Sequence, residues 1–127
     1  RIAAPTVTVL GSQPFDVLKQ HYARCRALIF PGEEDFGMVP VEAMASGRPV
    51  VAFGKGGATE TVAQDVSGVF FAEQSVEAIS SAVRSLAGME NDPAKIAAHA
   101  SQFGRDQFFQ KMRSHIDPLL AEKADAR

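Results

Sequence analysis

The chain has 127 residues, 46% hydrophobic and 22% charged, and 13 basic against 15 acidic side chains give a formal net charge of −2. That balance describes one globular domain, able to bury roughly two-thirds of the surface its unfolded form exposes, and it excludes a broad basic field for nucleic acid. The single cysteine, Cys25, excludes an internal disulfide framework and a Cys-built zinc site, and no run approaches the ~20 apolar residues of a membrane span. No charged-then-apolar segment at the start has the pattern of a signal peptide, so an intracellular setting is expected. The chain begins at Arg1 rather than Met and is expected to be a piece of something longer.

Helical and strand-like signals alternate. Thr6-Val7-Thr8-Val9-Leu10, closed by Gly11, predicts a short strand. Pro14 suits the first turn of a helix reaching Cys25, whose Leu18, Tyr22 and Cys25 form an apolar stripe expected to face a sheet. Ala27-Leu28-Ile29-Phe30 is apolar without interruption, as a strand covered on both faces requires. After the acidic turn Glu33-Glu34-Asp35-Phe36-Gly37, a helix is expected from Val39 to Ser46, with Pro40 in its first turn and Gly47 ending it. Pro49–Phe53 predicts a third strand, followed by Gly54-Lys55-Gly56-Gly57 and a short helix from Ala58 to Gln64. Gly68–Phe71 predicts a fourth strand.

Ser75 opens a helix with Val76, Ile79, Val83 and Leu86 at helical spacing, and Pro93 starts another holding Ile96, Ala97 and Ala100. The last amphipathic stretch, Asp106 to Ala124, sets Phe109, Met112 and Ile116 on one side, with a kink expected at Pro118. Residues 1–121 are therefore expected to form the domain, and the charged tail 122–127 to fray. Strands alternating with helices predict an α/β fold with a parallel sheet flanked by helices.

In an open parallel sheet, ligands bind outside the carboxyl ends of the strands. The loop from Pro31 to Gly37 leaves such an end. It carries three consecutive carboxylates, then a glycine that lets backbone approach a ligand, then a helix N-terminus that attracts anions. Glu42, in the first turns of that helix, is expected to face the same crevice. Two carboxylates one loop apart suit a polyhydroxylated ligand, because each accepts two hydroxyl hydrogen bonds. Acids ahead of a helix are also ordinary dipole partners, and for Glu33 and Asp35 that reading stands level with a ligand role. For Glu34 together with Glu42 the strand-end position favours the ligand.

Lys55 is the cation of a strand-end loop, more simply read as solvated than as a phosphate partner. Glu60 is expected to cap or brace its helix, and Gly56 and Gly57 to form a turn. Phe70-Phe71, Phe108-Phe109 and the methionines are expected to pack, not to hold a cofactor. His21, His99 and His115 have no ligand spacing, so no metal is expected.

The stretch Glu34 to Ala52, with Glu34 and Glu42 separated by seven residues and continuing as Ala43-Met44-Ala45-Ser46-Gly47-Arg48-Pro49-Val50-Val51-Ala52, resembles the E-x7-E signature of retaining GT-B glycosyltransferases of family 4. Gly56-Gly57-Ala58-Thr59-Glu60-Thr61-Val62 is similar to that family's G-G-x-x-E-x-V segment. Val7 to Gly11 and Tyr22 to Pro31 resemble its "V-x-F-L-G" and "Y-x-x-A-D-V-F-V-x-P-S" stretches. The resemblance covers most of the chain and implies the C-terminal, Rossmann-like half of a GT-B fold.

It also implies transfer of a sugar from a nucleotide diphosphate-sugar, with retention of configuration, to a sugar or lipid-linked acceptor. By the same resemblance Glu34 lies by the donor sugar, as the catalytic-side carboxylate. Glu42 holds the ribose hydroxyls, and Asp35, Phe36, Gly37, Met38, Val39 and Lys55 line the donor site. No cofactor and no metal are implied, since backbone amides and a helix dipole can stabilise the departing diphosphate. Asp35 stands where the family commonly has Gly, and Arg24-Cys25-Arg26 replaces its A-D. The details of the acidic loop and of Gly54–Gly57 most resemble mannosyltransferase-like members that build bacterial surface polysaccharides from GDP-mannose.

The family's cationic diphosphate clamp and its N-terminal acceptor domain have no counterpart here. The piece alone is expected to be inactive, and the missing N-terminal domain is its expected partner. With the strand order 3-2-1-4-5-6, the absent strands would fall between Thr6–Leu10 and Ala27–Phe30, so Thr6–Leu10 either pairs with its sequence neighbour or leaves an open edge. The expected setting is cytoplasmic, at the inner membrane surface where the acceptor is lipid-linked. Two further readings compete: a phosphorylase or epimerase acting on a nucleotide sugar, and a non-catalytic α/β nucleotide-binding or regulatory module, such as a receiver-like domain.

Overall fold

A computed structural model describes residues 4–125. Among these, three parallel strands, β1 (Leu28–Phe30), β2 (Val50–Phe53) and β3 (Gly68–Phe71), lie side by side in the order β1-β2-β3. Leu28 pairs with Val50, and Val50 in turn with Gly68. The helices are α1 (Phe15–Arg24), α2 (Met38–Ala45), α3 (Ala58–Thr61), α4 (Val76–Ala87), α5 (Pro93–Ser101) and α6 (Arg105–Asp125).

The central strand explains the layering. All four residues of β2 are buried, and their alternation sends Val50 and Ala52 to one face, Val51 and Phe53 to the other. The first face joins Phe30, Ala43, Met44, Ala58, Val62, Ile96 and Ala100, so it is covered from α2, α3 and α5. The second joins Val69, Phe71, Ala82 and Leu86 beneath α4. Gly68 is required at its register position, because a Cβ there would run into the Val50 carbonyl and the Val62 side chain.

Helix ends follow the expected chemistry. Ser75 caps α4 through the Ala78 amide, and Asp92 caps α5 through the amides of Ala94 and Lys95. Gly47, left-handed at φ 73°, closes α2: its amide bonds Met44 and the Arg48 amide bonds Ala43, a Schellman ending. The same glycine admits the start of α5, since a Cβ on it would stand 2.9 Å from Pro93 Cβ.

Several expectations are corrected. Thr6–Leu10 forms no strand; Val7, Val9 and Leu10 are exposed, because β-branched alternation gains nothing without a neighbouring strand to bond. Helix α1 lies on α2, with Tyr22 of its stripe half-buried against the core that α2 shares with the sheet, and it buries no residue fully. Strand β1 is not covered on both faces: Ile29 is 49% exposed. This strand is one of the two edges of the sheet, beside a recess of about 360 Å³ lined in part by Arg26, Ile29, Val83 and Leu86.

Helix α3 stops at Thr61, short of Gln64. Helix α6 continues through Pro118 to Asp125, so the tail expected from residue 122 begins inside it, and residues 126 and 127 lie outside the described ones. Phe108, Phe109, Met112 and Ile116 do not pack into the domain; the two phenylalanine rings meet each other at 5.9 Å and stay exposed.

Candidate functional site

The acidic loop leaves the carboxyl end of β1, and the Gly54–Gly57 loop leaves that of β2. The two dock backbone to backbone. The Gly57 amide donates to the Glu34 carbonyl at 2.6 Å. A Cβ on Gly56 would stand 2.6 Å from that same carbonyl, and one on Gly57 would collide with the Asp35 carbonyl and with Phe36. Gly56 also sits at φ 68°, in the left-handed region. The glycine pair therefore does more than turn the chain: it is the seat of the acidic loop.

That seat corrects the reading of Glu60. In a capping box its carboxylate would reach back to the Gly57 amide, but that amide is already given to Glu34. No side chain caps α3, and Glu60 is exposed.

Gly37, buried and left-handed at φ 77°, turns the loop into α2. No side chain caps this helix, and among the described residues the Met38 and Val39 amides bond no other backbone group. Pro40 lacks an amide hydrogen, so Met38 and Val39 supply N–H groups without a backbone partner at the positive end of the helix. Phe36 and Met38 flank them, 47% and 65% exposed. Phe36 meets Phe103 edge to face at 6.2 Å, and Phe103 meets His99 in the same way at 5.8 Å.

Glu33, Glu34 and Asp35 are exposed, and the ion pair present among the described residues lies elsewhere, between Lys95 and Asp92 at 3.9 Å. Lys55 turns its ammonium over the Phe53 ring, 5.7 Å from its centre, and makes no ion pair among the described residues. The three histidines stand apart. His99 Nε2 lies 2.7 Å from the Thr61 carbonyl and its Nδ1 3.0 Å from the Gln102 amide, while His115 Nδ1 lies 2.7 Å from the Lys111 carbonyl. Among the described residues no cluster of three His, Cys, Asp or Glu side chains could hold a metal ion.

The Glu42 carboxylate is engaged by α1. The Tyr22 hydroxyl donates to Glu42 Oε2 at 3.0 Å, across a half-buried contact. Burial, then the hydrogen bond and charge of Glu42, push the Tyr22 phenol up to about 12. Next to it, burial raises the Cys25 thiol above its usual range, against the lowering charge of Arg48. Arg48 donates through Nε and Nη2 to the Ala23 carbonyl, closing the end of α1. The sequence signalled Tyr22 as an apolar position and the start of a family-like stretch, and Arg48 as part of a motif, with no contact assigned to either. Tyrosine on a helical stripe, opposite a lone glutamate in an otherwise apolar helix, was the available clue.

A parallel three-stranded sheet flanked by helices, with an uncapped helix N-terminus at the carboxyl ends of its strands, defines a Rossmann-like α/β domain. Residues 3–103 match the family of glycosyl transferases group 1, and the chain belongs to that family. The fold is also similar to that of part of a sucrose-phosphate synthase from Thermosynechococcus elongatus. The TM-score is 0.72 at 26% identity, over 91% of this chain and 30% of that one.

Among curated relatives, a D-inositol 3-phosphate glycosyltransferase of Geodermatophilus obscurus is 36% identical over 87% of this chain and 25% of its own length. An O-antigen chain mannosyltransferase of Salmonella typhimurium is 46% identical over 35% of this chain and 13% of its own length. The chain spans about a third or less of the curated relatives it matches.

Proposed function

We propose that this chain is the donor-binding part of a retaining, family 4 glycosyltransferase that takes a hexose from a nucleotide diphosphate. The observation that carries the reading is the pair of uncapped amides, Met38 and Val39, held at the mouth of the sheet by the seat that Gly57 gives the acidic loop. In this reading the diphosphate lies against those amides and the positive end of α2, with Phe36 and Gly37 beside it. Glu34 faces the donor sugar, Glu42 accepts hydrogen bonds from the ribose hydroxyls, and no metal is needed.

The acidic loop is electrostatically unsuited to bind a diphosphate by itself, since Glu33, Glu34 and Asp35 have no cation within ion-pair distance among the described residues. Cationic groups outside this chain, together with Lys55, complete the clamp, and the chain alone transfers no sugar. The likeness over 46 residues to an O-antigen chain mannosyltransferase supports mannose as the donor sugar and a glycan acceptor; GDP as its carrier follows from the sequence resemblance alone.

Calorimetric titration of GDP, UDP and GDP-mannose into the full-length protein and its Glu42→Ala variant tests this. One base is expected to bind, and about tenfold more weakly in the variant, the loss of a hydrogen bond to a charged group. Equal binding by both proteins removes Glu42 from the ribose; no binding by either favours a regulatory module.

A further inference from the structure

We propose that Tyr22 is a positioning residue for Glu42: its hydroxyl pins one carboxylate oxygen so that the other is presented to the ribose of the donor. The inference rests on the reading of Glu42 as the ribose ligand and adds a residue that the reading does not contain.

Three observations support the pinning. Tyr22 donates to Oε2 of Glu42 at 3.0 Å. Its ring packs against the core formed by Phe30, Met44 and Val50, so the donor is itself fixed. The backbone beneath it is held as well, with the Cys25 thiol on the Tyr22 carbonyl at 3.3 Å and Arg48 on the Ala23 carbonyl.

The second oxygen is left for a ligand. Among the described residues Oε1 of Glu42 has no protein partner, and no buried side-chain polar atom there lacks one. Oε1 therefore reaches solvent. A glutamate has several rotatable bonds, and a ligand that meets it free must pay for freezing them. A carboxylate already tied at one end meets the ribose with that cost met by folding, which is preorganisation. The phenol stays protonated, and so remains a donor, throughout the neutral range.

The test compares GDP and UDP with their 2′-deoxy forms, titrated into the full-length protein, Tyr22→Phe, Glu42→Ala and the double variant. Tyr22→Phe keeps the packed ring and removes only the hydroxyl, so the fold is expected to survive, with an unchanged circular dichroism spectrum as the check. Wild type is expected to favour the ribonucleotide by about tenfold, and Tyr22→Phe to narrow that preference to about threefold. In the Glu42→Ala background the same change is expected to do nothing, because the hydroxyl then has no carboxylate to hold.

A preference unchanged in Tyr22→Phe overturns the proposal, and so does an equal weakening of both nucleotide forms, the mark of a structural role only. Those outcomes leave Glu42 on the ribose. A wild type that does not distinguish the two forms, or binds neither nucleotide, overturns the Glu42 reading and this proposal together, and Glu42→Ala then behaves as wild type.

Discussion

The amide of Gly57 and the carbonyl of Glu34 meet at 2.6 Å, joining the loop after β2 to the loop after β1. No side chain takes part, so the contact is invisible to composition and depends on the smallness of residues 56 and 57. It fixes the acidic loop where α2 begins, and thereby fixes the direction in which the Met38 and Val39 amides point. A steric requirement at one glycine is thus a requirement of the candidate site.

Gly57→Ala measures that requirement. The Gly57 backbone is in the right-handed helical region at φ −61°, where alanine is ordinarily the better residue. The added methyl would nonetheless overlap the Asp35 carbonyl and Phe36 backbone, and overpacking against main chain outweighs propensity. A loss of about 1–3 kcal/mol is expected in urea unfolding, with weaker nucleotide binding. Gly32→Ala, where a Cβ meets nothing within 4 Å, is the control and should change stability by less than about 0.5 kcal/mol. Equal midpoints for the two variants would mean that the loops are not seated on each other.

The sequence disclosed the layers of the fold better than its contacts. Val50–Phe53 and Gly68–Phe71 are apolar at every position, so burial on both faces could be read directly, as could the helix starts at Ser75 and Pro93 and the stop at Gly47. Thr6–Leu10, a β-branched run, also carries a strand signal and forms no strand, because a strand is made by its neighbour's hydrogen bonds as much as by its own residues. The acidic loop and Glu42 were legible as a motif. The partner of Glu42 was not, since Tyr22 lies 20 positions away and only the packing of α1 on α2 brings it within reach.

The Tyr22 contact gives a pH signature whose sign is fixed by the direction of the shift. The phenol rises from its ordinary 10.0 to about 12, first through burial and then through Glu42. A group whose folded value is raised contributes stability that is whole below the unfolded value and is lost as pH climbs through the folded one. Stability from this group is therefore constant up to about pH 10 and declines towards pH 12. Tyr22 is the one tyrosine in this sequence, so phenolate absorbance in this chain reports it alone. Glu42→Ala should bring the midpoint down only part of the way to 10.0, since burial remains. A wild-type midpoint at the ordinary value would show that the hydroxyl is not held.

Arg48 sits in the motif but acts on α1. Its guanidinium gives two N–H groups to the Ala23 carbonyl, an acceptor in the last turn of a helix that buries no residue of its own fully. A cation there also opposes the negative end of the helix dipole. Arg48→Ala is expected to cost about 1 kcal/mol, the worth of an exposed charge-assisted contact at a helix end. The loss should be local. Hydrogen exchange should quicken at Cys25, whose amide bonds the His21 carbonyl in that same turn, and stay slow at Val50, bonded to Ser67 within the buried sheet. Arg48→Lys restores the charge but offers no fork, so it should recover the dipole effect and leave α1 looser than wild type. Exchange that quickens equally at Cys25 and Val50 would instead make Arg48 part of the global core, and the Ala23 contact incidental.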